Sequence, residues 1–366
     1  MTRPGRTLFR RLVVRQFRNL NDIEFEPALG LNVISGQNGH GKTSLIEALY
    51  VLATSRSFRS TRLGDVIQQG ADRAMLSGIT ESFGLTRTLG ANISARGRSF
   101  KIDGKSPKRR LDYALSTPVI IFAPADLSLC SGPASLRRLL LDRIIVYLDP
   151  AGAEARTSYL HAGRERQRLL SERGVRAREL DAFEQVLAQA GTRLARARDR
   201  AAQCLLESLK PAFSQMAAAD LNSSFQYNPG GTQDLPEFMR QLAERRNKDL
   251  LRGSMTYGPG RDDVEFLIEG RPAKSFASQG QQRLLTLALK IAELSCVRSV
   301  TDMEPMLLLD DVSSELDPDR TAAVFRFLRQ SRSQIFVTTT RPELFDHLDS
   351  ESGLRADFRL HNGSLL

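Results

Sequence analysis

Residues 31–50 read LNVISGQNGHGKTSLIEALY, and no other stretch restricts the fold so tightly. The apolar run Leu31, Val33 and Ile34 leads into Gly36-x-x-x-x-Gly41-Lys42-Thr43, and helix formers follow. Strand, loop and helix therefore come in the order that a phosphate-binding loop requires. Gly36, Gly39 and Gly41 let the backbone curl with its N–H groups inward, while the helix opening near Lys42 offers unpaired donors and a partial positive charge. Gln37, Asn38, His40 and Ser44 complete the expected cradle. Lys42 is expected to reach the β- and γ-phosphates of ATP, and the Thr43 hydroxyl to ligate Mg²⁺, which takes hard oxygen donors and keeps several waters. The plainer alternative is a glycine-rich turn that holds nothing; the strand and helix on either side speak against it.

A second half of such a site lies far downstream. Pro305 is followed by Met306, three leucines and the adjacent carboxylates Asp310 and Asp311, a buried strand ending in two acids. Asp310 is the candidate Mg²⁺ ligand, chiefly through water. Asp311 stands where a general base would orient and deprotonate an attacking water. Lys42, Asp310 and Asp311 are thus the catalytic candidates, against the alternative of an acidic strand-to-loop turn. Upstream, Ser278, Gln279, Gly280 and Gln281 open an apolar helix over residues 284–294. They form an anion site with no counter-charge of its own, suited to a γ-phosphate presented by something else.

At 366 residues the chain suffices for one large or two moderate domains, and 41% hydrophobic with 26% charged residues is ordinary for a globular protein. No run approaches the roughly 18 to 20 apolar residues of a membrane span, and the first residues have no apolar core of the signal-peptide kind, so a cytoplasmic location is expected. Cys130, Cys204 and Cys296 are odd in number, far apart in sequence and without metal-ligand spacing, and are expected as buried thiols. The net charge of +10 suits a polyanionic partner such as DNA, or reflects an arginine-rich genome.

Taken in order, residues 8–25 read as strand, loop, strand, with Arg6, Arg10, Arg11, Arg15 and Arg18 either facing DNA or forming the solvated face of an edge strand. Glycines from Gly78 to Gly104 punctuate an antiparallel meander. Residues 118–122 read as a buried strand ending at Asp126, which is either close to a nucleotide or an acid of turn chemistry. From about Arg137 to Met216 the pattern is helical. Leu180, Phe183, Leu187, Ala190 and Leu194 form one stripe, a break near Gly174 fits a hairpin, and the arm is too short for a long coiled coil. Arg193, Arg196 and Arg200 share another face and Arg164, Arg166 and Arg168 precede them, as phosphate contacts or as a solvated face. Residues 221–234 carry turn residues around Phe225 and Tyr227, 235–250 read as a helix, and 254–264 as a loop between short strands.

The residues Ser278-Gln-Gly-Gln-Gln282 resemble the signature motif of ABC-type ATPases, and Ser313-Ser-Glu-Leu-Asp317 resembles their D-loop. Within that superfamily Phe17-Arg-Asn-Leu20, the loop from Gly36 to Ala48, Ser57-Phe-Arg59, Leu308-Leu-Asp-Asp-Val312 and Phe336-Val-Thr-Thr339 resemble the RecF family, bacterial recombination mediators related to SMC proteins. The resemblance is collinear over nearly the whole chain. It implies an α/β fold: a P-loop ATPase head of ABC/SMC type with an antiparallel β subregion, and a second lobe carrying a short helical arm. The corresponding division is 1–113 with 297–366 for the ATP-binding lobe and 114–296 for the second lobe.

The same resemblance implies a homodimer closing head to tail on ATP, with Ser278 and Gly280 of one chain on the nucleotide held by Lys42 of the other. It implies weak DNA-stimulated ATP hydrolysis, binding at gapped duplexes and single-strand/double-strand junctions, and cooperation with RecO and RecR in placing RecA. Two positions depart from the pattern. Gly260 stands where a histidine is expected, and Thr339 stands where transporter ATPases place a histidine, so slow turnover is expected, with ATP as switch and timer. The alternatives are the ATPase subunit of a membrane transporter, which the basic arm and the missing histidine oppose, and a small-molecule phosphotransferase, which leaves the signature helix unexplained.

Overall fold

In the computed structural model, which describes residues 5–216, 221–311, 331–346 and 354–366, the phosphate-loop stretch folds as strand Leu31–Ser35, a loop, and helix Lys42–Thr54. That helix is buried on nearly every side, from Leu45 and Ile46 through Leu49, Val51 and Leu52. Its apolar character around the whole circumference suits a helix enclosed between two layers. Both layers belong to the first of two compact units, residues 1–127 with 297–366.

One layer is a six-stranded sheet in the order Ser364–Leu365, Arg355–His361, Leu31–Ser35, Ile335–Thr339, Met306–Leu309, Val119–Phe122. Its central pairings are parallel, with Ser35 opposite Thr339 and Leu309 opposite both Val337 and Phe122. The carboxyl ends of these strands therefore gather the phosphate loop, Asp310 and Thr338 at one edge, where α/β sheets bind ligands. Short continuous apolar runs such as Met306–Leu309 are what a strand covered on both faces demands.

The other layer is antiparallel, in the order Ile23–Phe25, Leu8–Arg15, Arg73–Ser82, Leu85–Ser94, Gly97–Ile102. Phe9, Leu12, Val14, Leu76, Leu89 and Ile93 project into the core shared with the helix. The expected antiparallel region thus stands beside the parallel sheet. Val119–Phe122 corrects the expected division. The strand pairs with Met306–Leu309, so residues 114–127 belong to the first unit and not to the second lobe.

The second unit, residues 128–296, is built on helices Ala134–Leu148, Pro150–Arg173 and Glu179–Met216. The last two form a hairpin closed at Gly174, whose φ of 76° favours glycine. Gly152 lies against Ala197 so closely that a Cβ there would come within 2.3 Å of it. Leu180, Leu187 and Leu194 are buried as the stripe requires. Helices Leu235–Glu244 and Arg246–Arg252 and the sheet of Ser223–Asn228, Asp263–Ile268 and Arg271–Pro272 complete the unit, and helix Gln279–Thr301 leads the chain back to the first.

Several expectations are revised here. Residues 223–228 are a strand and not turns, and the helix expected over 235–250 is interrupted at Arg245. The 254–264 segment follows a helix and contains a turn of 3₁₀ helix at Pro259–Arg261. Cys130 and Cys296 are buried, whereas Cys204 is only half-buried. Arg166 is not on a solvated face: it is fully buried, donating to Glu184 at 2.8 Å, Asp249 at 2.7 Å and the Leu242 carbonyl at 2.8 Å. Of the five N-terminal arginines, Arg10, Arg11 and Arg15 stay exposed as the solvated-face reading has them, beside Glu81, Glu24 and Asp22, whereas the half-buried Arg18 pairs with Glu47 and Arg6 donates to the Leu29 carbonyl. Among the described residues no helix is long and apolar enough to cross a membrane.

Candidate nucleotide-binding site

The loop between Ser35 and Lys42 is shaped by what surrounds it. A Cβ at Gly36 would lie 2.4 Å from the Leu360 carbonyl, and Gly41, with φ of 105°, would drive one to 2.6 Å from Leu20. Asn19 braces the loop from outside: its amide donates to the Gly39 carbonyl at 2.8 Å and its oxygen accepts from Ser44 at 2.7 Å. His40 lies with Nδ1 3.3 Å from the Leu360 carbonyl and packs edge-on to His361. Lys42 is buried and donates to the carbonyls of Gly36 at 2.8 Å and Gln37 at 3.0 Å. Burial lowers its pKa, while the charges of Asp311 and Asp310 oppose that shift.

Over the loop lies a cleft of about 500 Å³, lined by Asn38, Lys42, Thr43, Arg18, Arg59 and Asp311 among others, all in the first unit. Thr43 donates to Asp310 at 2.9 Å, and Thr338 donates to the same oxygen at 3.0 Å while accepting from the Asp311 N–H at 2.8 Å. Asp310 is 2% exposed, and burial raises its pKa against the two hydroxyl donors; the neighbouring Asp311 charge raises it further. Asp311 takes a positive φ of 49°, an uncommon conformation for a residue with a side chain.

Sequence reasoning did not find Glu47. It is fully buried, accepts from Arg18 at 2.9 and 2.8 Å, from Arg59 at 3.2 Å and from Ser57 at 2.5 Å, and so fixes two of the cations that line the cleft. Its sequence signal is an acid on a largely apolar helix, inside the Gly36 to Ala48 stretch that carries the resemblance. Asn19 and Thr338 likewise lie inside quoted stretches, Phe17-Arg-Asn-Leu20 and Phe336-Val-Thr-Thr339, without being singled out there.

Ser278 and Gln281 form a reciprocal capping box, with the Gln281 N–H on the Ser278 hydroxyl at 3.2 Å and the Ser278 N–H on the Gln281 side chain at 2.9 Å. Ser278 and Gln279 are exposed and Gly280 half-exposed, in the second unit. The D-loop residues 313–317 lie outside the described residues. Asp126 follows its turn reading, its carboxylate accepting from the Ala123 N–H at 2.9 Å. Thr339 accepts from the Arg341 N–H at 2.9 Å. At Gly260 a Cβ would make an ordinary contact with the Tyr159 hydroxyl at 3.5 Å and meet nothing nearer among the described residues, so the loop does not require glycine there for steric reasons.

The donor set fits a nucleoside triphosphate with Mg²⁺. An ammonium held only by loop carbonyls, a helix N-terminus and two arginines converge on one cleft, beside a hydroxyl and two carboxylates of the hard-oxygen kind. Among the described residues no cluster of three or more His, Cys, Asp or Glu could hold a metal unaided. Thr43, whose hydroxyl donates to Asp310, and Asp310 itself are the residues that would hold such an ion together with water.

Comparison with known proteins bears on the family and the fold. The family described as "RecF/RecN/SMC N terminal domain" matches residues 8–359. The chain is 34% identical to the DNA replication and repair protein RecF of Myxococcus xanthus over 97% of this chain and 96% of that one. It is 36% identical to the RecF of an Anaeromyxobacter species, over 92% and 93%. A solved structure of the recombination mediator protein RecF with ATP, of the RecFOR pathway, superposes with a TM-score of 0.88 at 26% identity, covering 99% and 98% of the two chains. The Smc head domain of Pyrococcus furiosus shares the fold at a TM-score of 0.55 and 14% identity, over 98% of this chain and 95% of that one.

Proposed function

This chain belongs to the RecF branch of the RecF/RecN/SMC family, and from that premise we propose that it is an ATP-switched DNA-binding recombination mediator. The observation that carries the reading is the division of the site. Lys42, Thr43, Asp310 and Asp311 serve one cleft of the first unit, while Ser278 and Gly280 open an accessible helix end in the second. A nucleotide sandwiched between two molecules, with the cleft of one facing the helix end of the other, uses both parts.

In this reading Gly36, Gln37, Asn38, Gly39, His40, Gly41 and Ser44 supply the cradle around the phosphates of ATP. Lys42 exchanges its carbonyl partners for phosphate oxygens, and Thr43 with Asp310 holds Mg²⁺, which when bound offsets phosphate charge. Asp311 orients the attacking water and accepts its proton. Ser278, Gln279, Gly280 and Gln281 present N–H and side-chain donors to the partner's nucleotide. A threonine at 339 in place of an imidazole base keeps hydrolysis slow, which suits a timer. The closed dimer engages gapped duplex at single-strand/double-strand junctions and works with RecO and RecR in placing RecA, in the cytoplasm. The family assignment leaves the transporter-subunit alternative without support.

The test is the mass in solution without nucleotide, with ADP and with ATP, each with and without a gapped duplex. A dimer formed with ATP alone and reinforced by DNA is expected. Ser278→Arg should bind ATP as a monomer, and normal ATP-dependent dimers from that variant would overturn the sandwich.

A further inference from the structure

The second unit has a cleft of its own, about 540 Å³, which the nucleotide site does not use. Arg193, Arg196 and Arg200 line it from helix Glu179–Met216, with Asp149, Thr192 and Leu235 also at its walls. Spacings of three and four put the arginines on one face, over about 10 Å of helix at 1.5 Å per residue. All three are exposed.

The charges do not balance. Arg200 pairs with Asp149, whose other oxygen caps the next helix by accepting from the Gly152 N–H at 3.0 Å. Arg196 donates to the neutral Gln233 carbonyl at 2.9 Å. Arg193 has no hydrogen bond or ion pair among the described residues. Arg198, on the buried side of the same helix, is by contrast matched by Asp142 and Asp262, each at 2.9 Å. The helix thus pairs its interior arginine with acids and leaves two guanidinium charges uncompensated at the cleft.

We propose that this cleft holds the phosphodiester backbone of DNA, as a contact independent of base sequence. The proposal rests on the reading of the protein as DNA-binding and adds a location to it. Guanidinium forks match phosphate oxygens, and a row of them along one helix face fits a ligand whose charges repeat along a line. Among the described residues Leu235 is the one large apolar side chain at the walls, so little is present there to grip the side chains of an acidic peptide.

The experiment compares wild type with the double variant Arg193→Ala/Arg196→Ala, which leaves the Arg200–Asp149 pair and its helix cap in place. Binding of a fluorescein-labelled gapped duplex is followed by anisotropy with ATP present, from 50 to 200 mM salt. Two lost phosphate contacts should flatten the log–log salt dependence by about two and weaken binding about tenfold at physiological salt. The double lysine variant should keep the wild-type salt slope, and an unchanged thermal midpoint shows that the alanine variant is folded. Wild-type affinity and slope in the alanine variant would overturn the proposal. So would a loss of polyglutamate binding with DNA binding intact, which would make the cleft a site for acidic polypeptide. Failure of the wild type to bind DNA in any nucleotide state would instead strike the functional reading on which the proposal stands.

Discussion

Glu47 governs the mouth of the nucleotide cleft without facing it, because a fully buried carboxylate holds Arg18, Arg59 and Ser57 together. Glu47→Gln keeps the volume but leaves two cations short of their counter-charge, so a loss of about 3 kcal/mol, read from urea unfolding, is expected. Asp310 argues in the opposite direction. Burial raises its pKa above the ordinary 3.8, so the folded state binds that proton more tightly than the unfolded one, and its charge opposes folding once pH rises through the raised pKa. Asp310→Asn keeps an acceptor for Thr43 and Thr338 without the charge. It should melt at a higher temperature than wild type at pH 7 and lose Mg²⁺-dependent hydrolysis, and the difference in melting should close as pH falls toward 3.8. A variant that is less stable than wild type at pH 7 would show that the charge is compensated after all. The loop residues Gly36 to Thr43 were readable from sequence because each type is needed at its spacing for phosphate. Glu47, Asn19 and Thr338 were not, since their roles appear only when partners distant along the chain arrive.

In the proposed sandwich the helix Gln279–Thr301 serves stability and function through the same residue. Ser278 caps it, and an N-cap serine replaced by alanine costs about 1 kcal/mol. Aspartate caps as well as serine does, yet it would set a negative charge against a triphosphate. Ser278→Asp should therefore match wild type in thermal unfolding and fail to dimerise with ATP, whereas Ser278→Ala should lose about 1 kcal/mol and keep part of its dimerisation. Equal dimerisation by the aspartate variant in sedimentation would remove this helix end from the nucleotide interface. Elements with a strong period were legible, such as the stripe Leu180, Leu187, Leu194. Ser223–Asn228 was not, because its sequence is largely polar and its strand form is fixed by pairing with Asp263–Ile268. Likewise, nothing within Val119–Phe122 names Met306–Leu309 as its neighbour, so the strand was legible and its unit was not.

At the scale of the whole molecule, the first unit is assembled from two stretches far apart along the chain, which puts the loop at 36–43 and the acids at 310–311 at the carboxyl ends of strands in one sheet. That collinear spacing is why the head was legible as a resemblance, while the boundary at 127 and 128 depended on pairing that sequence does not display. A ligand bound only by the folded state stabilises it by about 2.7 kcal/mol at one hundred times its dissociation constant. For a unit of about 200 residues that is a rise of about 5 to 10 °C in the thermal midpoint. A ligand held by one chain gives this rise at any protein concentration. A ligand shared between two chains ties unfolding to dissociation, so the midpoint must climb further as protein concentration increases. With ATP and Mg²⁺ the midpoint is therefore expected to depend on protein concentration, and with ADP to be independent of it. Ser278→Asp should keep the concentration-independent part of the ATP effect and lose the rest. Concentration independence of the wild type with ATP would mean that each nucleotide is held by one chain alone, and the exposed helix end at Ser278 would then need another partner.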